Sequence, residues 1–404
     1  MAGLAHRRIA MRYRLGFVFL TALAAITFAI AFFTPQRPEL IVQGKSVSNW
    51  AMELRGPAPI EPAEKVIRSL GPEAVPDLVR MLRTRDSFFA RPIIFLEPKL
   101  PARATRALEN SFKPHEAAQQ RLGAALALGL MRTNAAAAVP DLLRALRDRD
   151  ASVRFVSGMT LGRIGTNSLP RLIAALDGRN RNAREAAFLG LYELGPAAFP
   201  SVTRLVSALT NLNERPRSIM VLQAIGKPAV PALIEALNQP AEDVRLTVMS
   251  VLGSMCGLAR AAVPTIASVT RDSSPALRLK AVETLNEICN SCDPVVAALC
   301  ECLNDENREV RRAAANFLKR EPRAAEVAAD QLLRTIESGA PSARNAAIAN
   351  LSLMARENKH AMAMLRTLAT RDDPTLSKPA SEALEEIEPP AKKEQASVNE
   401  SGVR

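Results

Sequence analysis

The stretch DASVRFVSGMTLGRIGTNSLPRLIAALDG, residues 150–178, contains the pattern that decides the fold. A small residue and then a leucine stand three and seven positions after Arg154, so both lie on one face of a helix. Gly165 is placed to end that helix. Pro170 is placed to begin the next helix, because proline in a first turn loses no hydrogen bond. The stretch therefore predicts two helices joined by a tight turn.

The same arrangement recurs along the chain. An arginine begins each of eight units, 30 to 33 residues apart, and a leucine follows each arginine at the seventh position. These arginines are Arg121, Arg154, Arg184, Arg215, Arg245, Arg278, Arg311 and Arg344. Because neither helix of a unit can bury its apolar face alone, the units must stack. We therefore predict an all-α fold, a right-handed α-solenoid of helix pairs over residues 46–388. We interpret the arginines as a structural ladder that donates hydrogen bonds to neighbouring carboxylates and carbonyls.

Residues 150–178, together with GPEAVPDLVRMLRTRD at 71–86, resemble HEAT repeats, in particular the short HEAT-like type of the phycobilisome lyases. The resemblance covers most of residues 56–388. It implies an armadillo-like helical scaffold for protein–protein interaction, although such solenoids serve unrelated processes. The segment GKSVSNW at 44–50 is also similar to the G-K-x-x-S-x-W segment that precedes the repeats of membrane-anchored bacterial HEAT proteins.

The N-terminal region contains nineteen residues without charge, LGFVFLTALAAITFAIAFF at 15–33. A helix of this length reaches about 28 Å, close to the hydrocarbon thickness of a bilayer. Four arginines precede the run, so the positive-inside rule keeps the N-terminus in the cytoplasm. The alternative is a cleaved signal peptide, since Ala29-Ile30-Ala31 fits the cleavage pattern and would leave a secreted protein.

These features predict the organisation of the whole chain. The expected segments are a basic cytoplasmic N-terminus at 1–14, a transmembrane anchor or uncleaved signal at 15–34, a linker at 35–45, the solenoid at 46–388 with an insert at 84–115, and a disordered tail at 389–404. The solenoid is then exported, and the protein is a single-pass protein of the cell membrane with its repeats on the periplasmic side of a bacterial envelope.

Signals for catalysis are weak. Gly44-Lys45-Ser46 ends like a phosphate-binding loop, but Glu39 occupies the position of the loop's first glycine. We expect Ser46 or Ser48 to cap a helix instead. The three histidines are far apart in sequence, and no serine or cysteine stands in a nucleophile motif. The sequence therefore predicts no catalytic residues, no cofactor and no metal. A repeat enzyme such as a lyase is the alternative.

The five cysteines lie within one region of the chain. Cys256 and Cys289 hold equivalent places in adjacent repeats, and Cys292 follows closely. In an oxidising compartment a disulfide among these three is the prediction. Unpaired buried cysteines and a zinc site that includes Cys300 and Cys302 are the alternatives.

Basic residues outnumber acidic ones by 53 to 41, which favours an acidic partner. The predicted second helices carry a basic strip, and the irregular insert carries aromatic side chains. The expected protein-binding residues are Phe88, Phe89, Phe95, Arg144, Arg147, Arg171 and Arg204. The insert could instead cover an apolar groove of the solenoid. We expect an acidic protein or anionic envelope polymer as partner. The less favoured alternative is a nucleic-acid-binding solenoid, with the arginine ladder as its basic stripe. Nucleic acid is not expected, because the repeats are exported and lack interleaved aromatics.

Overall fold

The computed structural model describes residues 38–55, 60–87, 90–289, 293–318 and 322–388. The predicted membrane anchor and the predicted C-terminal tail lie outside these residues. The described chain divides into two compact units. The first unit ends at Ala127, and the second begins at Leu128.

The first unit contains a two-stranded hairpin and five helices, followed by a helix that continues into the second unit. In chain order these are β1 (Ile41–Val42), β2 (Lys45–Ser46), α1 (Val47–Glu53), α2 (Glu61–Arg68), α3 (Val75–Leu82), α4 (Ala90–Leu96), α5 (Ala102–Phe112) and α6 (Glu116–Met131).

The second unit consists of paired helices and one last single helix. These are α7 (Val139–Ala145), α8 (Ala151–Ile164), α9 (Leu169–Leu176), α10 (Arg181–Leu194), α11 (Val202–Ser207), α12 (Arg215–Ile225), α13 (Val230–Ala236), α14 (Glu242–Ser254), α15 (Val263–Val269), α16 (Pro275–Ile288), α17 (Asp293–Cys302), α18 (Arg308–Leu318), α19 (Pro322–Ser338), α20 (Pro341–Ala355), α21 (Lys359–Ala369) and α22 (Pro374–Ile387).

The hairpin and α1 begin the first unit. Gly44 joins the strands at φ 80°, in the left-handed region that favours glycine. Ser46 caps α1, and its side chain accepts a hydrogen bond from the backbone N–H of Asn49. The indole of Trp50 is buried and donates to the carbonyl of Val42 at 2.9 Å. The cap predicted for this stretch is confirmed, and the GKS sequence forms a turn and a cap.

The segment predicted as an irregular insert is largely helical. It forms α4, a 3₁₀ turn at Glu97–Lys99, and α5. Ala90 and Ile93 are buried, whereas most of the described side chains of α5 are exposed. The prolines at 92 and 101 permit this because each lies in the first turn of a helix or just before it, where no N–H donor is lost.

The repeat pattern of the sequence corresponds to the core of the structure. The leucines seven positions after the ladder arginines all have no exposed surface. They are Leu128, Leu161, Leu191, Leu222, Leu252, Leu285, Leu318 and Leu351. Each leucine is held between its own helix and its neighbours. The predicted all-α architecture of stacked helix pairs is confirmed, and the handedness of the superhelix remains a prediction.

The first helices of two repeats, α8 and α10, approach each other through glycine. A Cβ added at Gly158 would lie 2.3 Å from the carbonyl oxygen of Ala186, and one at Gly162 would lie 2.4 Å from that of Gly190. Only hydrogen fits at these positions, so the two helices are fixed in close contact.

One repeat differs from the predicted register. The pattern that places Leu169-Pro170 at the start of a second helix predicts the same for Phe199-Pro200, but both of the latter residues lie in a 3₁₀ segment, Gly195–Ser201, and α11 begins at Val202. Phe199 is 53% exposed, while Val202 and Leu205 supply the buried face. The prediction is wrong here because the 3₁₀ segment continues through Pro200, which lies inside it, and the buried face of the second helix begins at Val202.

Among the described residues, Glu116–Ala145 is long and apolar enough in composition to cross a membrane. A 3₁₀ segment at Arg132–Ala138 interrupts it, and Arg132 has a φ of 52°. Buried core helices meet the same compositional criterion, and 56% of the most apolar window of this segment is buried.

Candidate protein-binding surface

The ladder arginines bind the carbonyls that precede their own helices. In five of them the guanidinium donates to the carbonyl oxygen six residues earlier, at 2.6–2.9 Å. These are Arg154, Arg184, Arg215, Arg278 and Arg311. The accepting oxygen lies in the turn between the second helix of one repeat and the first helix of the next, where no helical N–H reaches it. Arg344 donates similarly to the carbonyl of Gly339 at 2.8 Å.

Three of these guanidinium groups, and that of Arg245, also pair with carboxylates in or beside the turn that leads to the following repeat. These pairs are Arg184 with Glu214, Arg215 with Asp243, Arg245 with Asp272, and Arg278 with Asp305. In the first unit, Arg121 is buried and donates to Asp86 at 2.7 Å and to the carbonyl of Thr84 at 3.0 Å. At these positions the ladder therefore joins helices to the turns between repeats.

The second-helix arginines have two kinds of environment. Arg204 donates to Asp177 at 2.7 Å and to Glu214 at 3.0 Å. Burial alone would lower the pKa of Arg204, but the hydrogen bonds with these two carboxylates raise it above its ordinary value. Arg204 thus joins repeats, a role that its spacing did not predict. Arg144 pairs with the buried Asp141, and Arg147 and Arg171 are exposed.

Of the predicted aromatic contacts, Phe88 and Phe89 lie outside the described residues. Phe95 lies near the end of α4 and is 68% exposed. The ammonium of Lys99 lies 4.1 Å from the centre of its ring.

An open groove of about 320 Å³ crosses the first helices of three successive repeats, α8, α10 and α12. Its apolar surface comes from Phe155, Phe188, Leu189 and Met220. Phe188 is buried and forms part of the floor of the groove, whereas Phe155 is 49% exposed and lines its side. We call this surface the first-helix groove.

A smaller depression of about 100 Å³ shares Glu185, Phe188 and Arg217 with the first-helix groove. The two together extend the surface from α8 to the turn before α12. Side-chain amides of Asn182, Asn211 and Asn213 line this path. They offer both donors and acceptors, which an extended backbone needs.

The charge along the groove is positive. Arg154, Arg181, Arg184 and Arg217 line it, against only Glu185 and Glu214. Glu185 accepts from Arg181 at 3.0 Å and lies 3.3 Å from Arg217. Arg181 is 77% exposed, so most of its five N–H donors face solvent. The groove can therefore accept carboxylates beside an apolar side chain.

The sequence contains a signal for this groove that the spacing of the ladder arginines does not show. Five positions after the ladder arginine, a solvated helix face should be polar, and later repeats have Ser250, Glu283 and Asn316 there. The repeats around the groove instead carry apolar residues. These are Met159, Leu189 and Met220, and each is partly buried.

The described cysteines have three environments. Cys256 is an exposed free thiol, and its φ of 49° places it at a turn. Cys289 is disulfide-bonded, and its partner lies outside the described residues. Burial raises the pKa of the Cys300 and Cys302 thiols to about 11. Within the described part of the chain, no group of histidine, cysteine and carboxylate side chains has the arrangement of a metal site.

The architecture defines an all-α repeat protein with an open groove on its first helices. A family model for HEAT repeats matches residues 105–192, 230–319 and 262–352, which together cover just over half of the chain. The chain belongs to the HEAT-repeat family. No curated protein matches it significantly.

Several solved structures are similar to this chain. A complex of CpcE and CpcF of phycocyanin lyase from Nostoc sp. PCC7120 is 26% identical, over 37% of this chain and 97% of that chain, with a TM-score of 0.28. An engineered protein is 17% identical over 84% of this chain and 98% of that chain, with a TM-score of 0.32. The karyopherin Kap121p, bound to the extreme C-terminus of the protein phosphatase Cdc14p, is 13% identical over 79% of this chain and 42% of that chain, with a TM-score of 0.42.

Proposed function

We propose that this HEAT-repeat protein is a scaffold that binds an extended, acidic segment of a partner protein in the first-helix groove. The observation that carries the proposal is the combination of an apolar floor with an excess of guanidinium groups over carboxylates. HEAT repeats suit this role because a stack of similar units offers many weak contacts to a long partner.

The expected contacts follow from the lining of the groove. An apolar side chain of the partner packs against Phe155, Leu189 and Met220, which supplies the desolvated anchor that charge alone lacks. Carboxylates on either side of that anchor pair with Arg181 and Arg217, since a guanidinium binds a carboxylate through two parallel hydrogen bonds. The nearby asparagine amides hydrogen-bond the partner's backbone.

We propose binding rather than catalysis for this surface. Both of its carboxylates are held by arginines, Glu185 by Arg181 and Arg217, and Glu214 by Arg184 and Arg204. Such pairs are typical of structural ion-pair networks. A catalytic acid or base instead usually lies where burial or a like charge shifts its pKa. The alternative function is that of a repeat enzyme such as a lyase.

We further propose that the scaffold is tethered to the cell membrane by the apolar run at 15–33 and works on the exported side. The disulfide of Cys289 supports export, because disulfides persist in oxidising compartments. Carbonate extraction tests the tether, and the full-length chain is expected in the membrane pellet. Release into the supernatant with a mature N-terminus at Phe32 would instead indicate a cleaved signal peptide and a secreted protein.

Site-specific photo-crosslinking in intact cells tests the groove. A photoreactive phenylalanine analogue at position 155 should capture a partner, and the same analogue at the exposed position 199 serves as the matched control. Capture at 155 should disappear when R181E and R217E are introduced together. Capture that persists in that double variant, or equal capture at both positions, would contradict the proposal.

A further inference from the structure

The end of α4 presents three consecutive apolar side chains to solvent. Ile94, Phe95 and Leu96 are 42%, 68% and 42% exposed, while Ala90 and Ile93 on the same helix are buried. Exposed apolar runs of this kind are unfavourable in water and are typical of surfaces that contact another apolar phase.

Cations predominate after this apolar run, which Glu97 and Pro98 separate from Lys99. Residues 90–113 contain five basic and two acidic residues. Lys99, Arg103 and Arg106 are all exposed, and the Lys99 ammonium lies against the ring of Phe95 at 4.1 Å. We call Ile94, Phe95, Leu96, Lys99, Arg103 and Arg106 the basic tip.

We propose that the basic tip docks the first unit onto an anionic membrane surface. Apolar side chains enter the boundary between headgroups and acyl chains, and cations bind the lipid phosphates. Phe95 is suited to the boundary as the most exposed of the three apolar residues. Lys99 can keep its ammonium at the headgroups while its methylenes lie along the inserted ring.

A lipid surface suits this geometry better than a folded protein does. Successive residues on a helix point about 100° apart, so Ile94, Phe95 and Leu96 project in different directions. A protein partner would need a shaped pocket for each side chain. A fluid lipid layer surrounds all three without such pockets. The cations complement anionic headgroups and are not balanced by an equal number of carboxylates in this segment.

The inference concerns the first unit alone and does not rest on the proposed groove or tether. Lipid contact of residue 95 can be measured whether or not the chain is anchored elsewhere. Failure of this contact would leave the groove untouched, and failure of partner binding at the groove would leave this contact untouched.

The test uses the full chain with vesicles that contain brominated acyl chains, which quench tryptophan on contact. Trp50 is the only tryptophan, and its buried signal in the unsubstituted chain gives the baseline. F95W adds an indole to the basic tip, and F199W adds one at an exposed aromatic position of the second unit. Vesicles of phosphatidylcholine alone are compared with vesicles that also contain phosphatidylglycerol.

We expect the added signal of F95W to be quenched in the anionic vesicles, more than in the neutral vesicles and more than that of F199W. F95W is also combined with K99Q, R103Q and R106Q. In that variant the binding constant of the basic tip for the anionic surface should fall about 100-fold, because each cation removed weakens binding about fivefold. Quenching should then drop to the F199W level. Equal quenching in neutral and anionic vesicles, or none beyond F199W, would overturn the proposal, and the latter result is the one a protein partner would give.

Discussion

Arg278 and Asp305 form a two-pronged ion pair between neighbouring repeats. The Nε and Nη2 atoms of Arg278 donate to the two carboxylate oxygens at 2.8 and 2.9 Å, and both side chains are less than a tenth exposed. Arg278 also donates to the carbonyls of Asp272 and Ser273. The hydrogen bond with Asp305 is the main cause that raises the pKa of Arg278. One side chain thus joins three segments of the chain.

Loss of Arg278 alone should be more damaging than loss of the pair. R278M removes the cation beside the enclosed Asp305 carboxylate and leaves it the hydrogen bond from the backbone N–H of Asn307. Breaking a buried ion pair in this way costs about 3 kcal/mol. R278M combined with D305L removes both charges and should recover part of that loss. Urea unfolding of the two variants measures the difference. A double variant with a lower unfolding free energy than R278M would contradict this expectation. It would show that the unpaired Asp305 carboxylate does not destabilise the fold.

Stability should depend on pH through Asp272. Burial alone would raise the pKa of Asp272, but the Ser274 N–H and the Arg245 guanidinium lower it below its ordinary value of 3.8. A carboxylate with a lowered folded-state pKa stabilises the fold above 3.8, and this contribution is lost as the pH falls through the lowered value. The difference in unfolding free energy between the unsubstituted chain and D272N should therefore be largest near neutral pH and should shrink in acid.

The matched control for this pH effect is D372N, at an exposed aspartate. Its unfolding free energy should follow that of the unsubstituted chain across the same pH range. A D272N difference that stays constant down to pH 3 would contradict the role assigned to the Asp272 carboxylate.

The contact between α8 and α10 should not tolerate a methyl group. Alanine ordinarily stabilises a helix by about 1 kcal/mol relative to glycine. At Gly158 the new Cβ would collide with the backbone of Ala186, and overpacking of this kind costs about 1–3 kcal/mol. G158A should therefore lower the midpoint of urea unfolding. G257A is the control because nothing lies near an added Cβ there. Equal midpoints for the two variants would refute the close contact.

Thiol reactivity should separate the described free cysteines. Cys256 is exposed, whereas Cys300 and Cys302 are buried and have pKa values near 11. The thiolate is the reactive form, and it is scarce for both buried thiols at pH 8. Maleimide labelling of the folded chain, followed by peptide mass spectrometry, should modify Cys256 first. Rapid labelling of Cys300 would show that α17 opens easily.

The sequence predicted the fold well because its repeat spacing reports directly on the core. A leucine seven positions after an arginine must face inward wherever the units stack, and all eight are buried. The start of α11 was harder to predict, since Phe199-Pro200 matches the pattern of the other second helices but lies inside a 3₁₀ segment. The two helices of the insert were hidden by prolines that stand at or near their starts.

The candidate site was predicted less well than the fold. The surface around Phe155 depends on how closely α8 and α10 pack, and the glycines at 158 and 190 permit their close contact. The environment of Arg204 depends on Asp177 and Glu214, which lie 27 and 10 residues away in sequence. Arg171 and Arg204 are each the third residue of a second helix, yet Arg171 is exposed and Arg204 is bound between two carboxylates. Spacing alone does not distinguish these cases.

The central claim is that the partner binds the first-helix groove. The most direct measurement is the dissociation constant of the partner captured at position 155 for three purified full-length chains. These are the unsubstituted chain, the groove variant R181E/R217E, and the second-helix variant R147E/R171E. The account predicts at least about a tenfold weaker complex for the groove variant, because each reversal replaces an attractive contact with a repulsive one. The second-helix variant should bind within about twofold of the unsubstituted chain. The reverse order would contradict the account and would place the partner on the second helices.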